Sequence, residues 1–130
     1  MTDARRAGRW RGLAAVAAGG LLGSASRAGV GLWIAEEGFP WAVLTVNLIG
    51  SFVLGLYLAR WERAVSRSGS LRFWAIGVLG SFTTFSAFSV DVVRLLDAGR
   101  LAAGGAYVAV SLIGGLVCAV AGLRVGAVVG

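Results

Sequence analysis

Apolar residues gather into four long runs, at about residues 13–34, 41–59, 73–96 and 101–123, and nearly all charged residues fall outside them. A helix needs about 20 apolar residues to cross the hydrocarbon of a bilayer, and each run is about that long. The pattern predicts an all-α membrane protein, a single domain of four transmembrane helices with no soluble module. Turn signals separate the runs. Gly38 and Pro40 break the chain after span one, with Trp33 and Trp41 beside them as interfacial anchors. Residues 60–72 form the longest polar connection, flexible at Ser68-Gly69-Ser70, and Asp97-Ala-Gly-Arg100 is the turn before span four. The Arg-rich residues 1–12 followed by an apolar run have the look of a signal peptide. That run continues past the small residues at 17–26 to Trp33-Ile34, which favours a retained first span.

The third run departs from a plain lipid-facing helix. Ser81, Thr83, Thr84, Ser86 and Ser89 place five hydroxyl groups within nine positions, Gly77 and Gly80 precede them, and Phe82, Phe85 and Phe88 recur every third residue. Glycine lets backbone leave helical geometry at least cost, and in hydrocarbon every freed carbonyl or amide must find a partner. The expectation is a helix broken near its middle, with unwound backbone facing a polar site. The alternative is an intact helix whose hydroxyls bond back to the preceding turn.

Other polar positions within the spans are few. Asn47 and Ser51 lie four apart on one face of span two, beside Gly50. A membrane-buried amide must be paired, so Asn47 faces either a pore or another helix as packing glue. Arg27 lies seven residues before the end of span one, about 10 Å along it; it either snorkels to the headgroups or draws anions to a vestibule. Gly19 and Gly23 permit close helix packing. Gly104, Tyr107, Ser111, Gly114 and Cys118 form a small and polar stripe on span four that should face other helices.

Composition narrows the function classes. The chain is 58% hydrophobic and 14% charged, with no His, one Cys and a formal net charge of +6. All twelve basic residues are Arg, and they flank apolar spans rather than forming a nucleic-acid patch. A disulfide framework, a thiolate metal cluster and a histidine base are all excluded. No nucleophile–base set exists, so an enzyme is not expected.

The stretch Gly77-Val-Leu-Gly80-Ser81-Phe82-Thr83-Thr84-Phe85-Ser86-Ala87-Phe88-Ser89-Val90-Asp91 resembles the GxxGGxTTFSTFSxE signature of the Fluc/CrcB family of small fluoride channels. Two further pieces agree in order: Gly19 to Arg27 resembles GGxxGAxxR, and Val46 to Phe52 resembles VNxxGSF. The resemblance implies an antiparallel dimer with two pores along its interface. It implies a fluoride pore lined by Asn47, Phe85, Phe88, Ser89, Tyr107 and Ser111, a vestibule arginine at Arg27, and a structural sodium ion held by the backbone carbonyls of Gly80 and Thr83. The chemistry suits these roles. Fluoride is small and strongly hydrated, so amide and hydroxyl donors must replace its water, and a phenyl ring offers an anion its positive edge. The implied function is passive export of fluoride across the cell membrane, relieving its toxicity. Val43, Ser81, Ala87 and Asp91 depart from the family pattern.

Two other functions compete. A small drug antiporter of similar size needs a carboxylate within span one, and the first acids after it, Glu36 and Glu37, stand in the turn. A non-conducting or weakly conducting subunit of a heterodimeric fluoride channel is the other. It draws support from charge: with four spans, one side would hold nine arginines (5, 6, 9, 11, 60, 63, 67, 72 and 124) and the other only Arg94 and Arg100. That bias puts both termini in the cytoplasm. An antiparallel dimer then needs either dual insertion of this chain or an oppositely oriented paralogue.

Overall fold

The computed structural model describes residues 3–34, 38–65 and 69–129. Its helices are α1 (Asp3–Trp33), α2 (Trp41–Val65), α3 (Gly69–Leu71), a π-helical segment Arg72–Leu79, α4 (Gly80–Phe82), α5 (Phe85–Asp97) and α6 (Leu101–Val129). Four stretches are long and apolar enough to cross a membrane: Arg6–Trp33, Trp41–Arg60, Arg72–Asp97 and Leu101–Val128. The four expected spans are therefore present, and the third is built from several helical pieces.

Helices run beyond the apolar windows at several ends. Span one begins its helix at Asp3, span two continues to Val65 and span four to Val129. Arginine and alanine favour helix nearly as well outside a bilayer as leucine does within it. The long polar connection is correspondingly short, because residues 60–65 remain helical and Gly69 starts the next helix. Ser68 of the expected turn and the acids Glu36 and Glu37 lie outside the described residues. The turn at 97–100 forms as expected. Gly99 takes a φ of 71°, and Gly99 N–H and Arg100 N–H bond back to the carbonyls of Leu96 and Leu95. This is a helix stop of the kind glycine permits.

Two close helix pairs make the frame. In the first, α1 lies on the π-helical segment. A Cβ added at Gly19 would strike the Phe73 carbonyl, one at Gly23 the Val78 carbonyl, and one at Gly77 would lie 2.9 Å from Gly19 Cα. In the second, α2 lies on α6, where Gly55 faces the Ala119 carbonyl and Gly122 the Phe52 carbonyl. Small residues let backbones approach where no hydrophobic effect drives association. Leu44, Phe88, Leu95 and Tyr107 form the buried cluster that joins α5 to α2 and α6. Outward faces keep large apolar residues such as Leu21, Leu32, Ile113 and Leu116 exposed, as a lipid-facing surface requires.

Candidate ion site at the helix break

The third span breaks at Thr83 and Thr84, whose backbones are extended (φ −77°, ψ 155° and φ −149°, ψ 123°). Gly77 and Gly80, the residues expected to host the break, remain helical. Gly80 has φ −64° and ψ −24°, and its N–H reaches the carbonyl of Ala75, five residues back. Gly77 is instead spent on close packing against α1. The π-helical turns leading into the break are a common way to disturb a helix at a site.

Several groups hold the break open. Thr84 caps α5, with Oγ1 accepting from Ala87 N–H at 3.2 Å and lying 3.3 Å from Ser86 Oγ. Asn47 on α2 bonds both polar groups of the Thr84 backbone. Its Nδ2 donates to Thr84 O at 3.0 Å, and its Oδ1 accepts from Thr84 N–H at 2.8 Å. Ser51 Oγ donates to Asn47 O at 2.8 Å, and Thr83 N–H and Oγ1 both donate to Leu79 O, at 3.1 and 3.0 Å. In an unbroken helix Thr84 N–H would close on Gly80 O. Taken by Asn47, it leaves that carbonyl without its helical donor.

These elements line an open cavity of about 330 Å³. Asn47 and Ser51 line it from α2, Gly80, Thr83, Thr84, Phe85 and Phe88 from the third span, and Ser111 from α6. Among the described residues, no charged side chain lines it. Ser111 Oγ is buried and has no hydrogen-bond partner among the described residues. A hydroxyl held out of water this way lacks a bond that an ion or a water could supply. Phe85 is 78% exposed and its ring lies 5.7 Å from that of Phe88, which is buried.

Of the residues singled out from the sequence, the cavity brings together Asn47, Phe85, Phe88, Ser111, Gly80 and Thr83. Three lie apart from it. Tyr107 is fully buried and packs its ring 5.2 Å from Phe88 and 5.5 Å from Phe39. Ser89 Oγ bonds back to Phe85 O at 2.9 Å. Arg27 is half-buried on α1. Thr84 and Ser51, noted in the sequence for the hydroxyl cluster and for the spacing from Asn47, line the cavity as well. A threonine three residues ahead of an amide it can cap was the available signal for Thr84. Along α5 from Phe88, Asp91 is buried with Oδ1 3.6 Å from Arg94 Nη1. Both line a second cavity of about 250 Å³, together with Arg100.

Residues 14–123 match the family model described as CrcB-like protein, Camphor Resistance (CrcB). This chain belongs to the CrcB family. Among curated CrcB relatives, the fluoride-specific ion channel FluC of Agrobacterium fabrum is 42% identical over 118 residues, spanning 88% of this chain and 94% of the relative. The FluC of Thermus thermophilus is 46% identical over 115 residues, spanning 85% of this chain and 90% of the relative. That of Rhizobium johnstonii is 43% identical over 114 residues, with 85% and 91% spanned. The match to the CrcB model reaches into all four spans and includes every residue lining the cavity.

Proposed function

We propose that this CrcB chain forms a passive fluoride-selective channel of the cell membrane that exports fluoride from the cytoplasm. The observation that carries the reading is the composition of the cavity at the break. Uncharged donors, Asn47 and Ser111, stand with the rings of Phe85 and Phe88, and among the described residues no carboxylate lines the cavity to attract a cation. Such a set can replace fluoride's hydration with N–H, O–H and ring-edge contacts, and a narrow dehydrating path of that kind selects among anions. The names carried by the relatives agree.

The working unit is an antiparallel dimer. Phe85 has no cover from its own chain on one side, and a second copy in the opposite orientation would wall the cavity there. The Gly80 and Thr83 carbonyls fit a hard cation such as sodium, because the break frees them from helical donors and both residues line the cavity. Such an ion would tie the unwound segments of two subunits together. Arg27, Ser89 and Tyr107 belong to the same reading, Arg27 as a vestibule charge and the others along the path toward Asp91 and Arg94.

Fluoride efflux from liposomes holding this chain tests the function. The expected result is passive fluoride release with chloride retained. Equal chloride release, or efflux that needs a proton gradient, would overturn it.

A further inference from the structure

We propose that Asn47 is a positioning residue as well as a pore group, and that its amide sets the shape of the break by pairing with the main chain of Thr84. The side-chain amide has the same donor and acceptor as a peptide group. Here it closes on Thr84 as one strand closes on another, with Nδ2 to Thr84 O at 3.0 Å and Thr84 N–H to Oδ1 at 2.8 Å. The two bonds fix which way the amide faces, since the reversed amide would set donor against donor and acceptor against acceptor.

The consequences follow along the chain. Thr84 is 7% exposed, so its peptide groups are cut off from water as well as from a helical ladder. Without Asn47, both would be left unmade in an apolar surround, which is costly. The alternative for the segment is to rewind, giving Thr84 N–H back to Gly80 O. Rewinding would turn Phe85 and Phe88, which follow directly, away from their present directions, and would cover the Gly80 carbonyl. Only one amide hydrogen of Asn47 is then left for an anion, because the other is held by Thr84 O. Fixing Asn47 Nδ2 in this way also aims that hydrogen. Ser51 supports the arrangement from one turn further on, donating to Asn47 O.

This inference rests on the fluoride reading only for its flux measurement, and its other measurement is independent of it. Two changes to the full-length chain separate the roles. Asn47→Ala removes both the clamp and the pore donor. An ester in place of the peptide bond between Thr83 and Thr84 removes the N–H that Asn47 accepts and leaves every side chain in place; because it also weakens the Thr83 carbonyl as a ligand, its flux is measured at saturating sodium. In detergent-solubilised protein, Asn47→Ala is expected to change hydrogen exchange at the Thr84 amide by about tenfold or more, faster if the amide is left unmade and slower if the segment rewinds onto Gly80 O, with amides of α2 and α6 unchanged. In liposomes, the ester chain is expected to elute as the parent does and to lose fluoride-over-chloride selectivity, a change that loss of stability alone would not produce. Unchanged exchange at Thr84 in Asn47→Ala, or parental selectivity in the ester chain, would overturn the proposal. A parent chain that carries no fluoride, with Thr84 exchange changed in Asn47→Ala, would sink the channel reading and leave the clamp standing.

Discussion

Phe85 and Phe88 are three residues apart on α5, yet their surroundings differ. Phe85 is 78% exposed, while Phe88 is 8% exposed and packs on Tyr107 within the cluster of Leu44 and Leu95. Both rings line the cavity. If their edges serve an anion, replacing either by a branched aliphatic should cut fluoride flux, since isoleucine keeps the apolar bulk and has no positive ring edge. The cost in stability should differ. Phe85→Ile is expected to melt with the parent, whereas Phe88→Ile should lose about 1 kcal/mol through its aromatic pair with Tyr107. Flux and thermal midpoint measured on the same preparations check both halves. Parental flux in two well-assembled variants would remove the rings from the pore.

At the scale of elements, glycine and threonine exchange the roles that their conformational preferences suggest. The break was legible in the hydroxyl cluster of 81–89, but its position was not. Glycine is the cheap residue to unwind, and Gly77 and Gly80 stay helical all the same. The reason is tertiary: Gly77 is needed against Gly19, and Thr84 is held extended by an asparagine 37 residues away. Extended backbone suits a β-branched residue, so local preference concurs once the partner is known. No pattern within the third span reports that partner. The packing of α1 was legible from the spacing of Gly19 and Gly23, and it gives a test. Gly19→Val or Gly23→Val puts side chain where a backbone carbonyl of the third span already lies, at a cost of about 1–3 kcal/mol or more. Gly29→Ala, on the same helix with nothing within 4 Å of the added carbon, should be neutral or gain about 0.5–1 kcal/mol. Thermal midpoints in detergent separate the two classes. Equal melting of Gly19→Val and the parent would mean that α1 does not dock through its glycines.

For the whole molecule, the unsettled matter is which way the chain lies in its membrane. Contacts sort the arginines by end. At one end, Gly12 of α1 meets Arg72, Tyr57 of α2 lies 3.5 Å from Ser70, and Gly126 of α6 lies against Ala59. At the other, Arg100 bonds the Gly38 carbonyl and shares a cavity with Arg94. Among the described residues, the sequence bias of the arginines therefore runs between two physical ends of one bundle, with Arg72 at one and Arg94 and Arg100 at the other. By the positive-inside preference the arginine-rich end is expected to face the cytoplasm. An antiparallel pore would need subunits of both orientations, and a chain this biased is expected to insert mainly one way. In detergent no membrane imposes a side, so the purified chain can pair with itself there and conduct once reconstituted. In the cell the same chain should depend on a paralogue of opposite bias. C-terminal fusions to reporters active on only one side of the membrane test this on the chain expressed alone. The expected signal is cytoplasmic with little from the periplasmic reporter, and fluoride resistance should rise when a family member of opposite arginine bias is co-expressed. Strong signals from both reporters would mean dual insertion and a homodimer, and would remove the need for a partner.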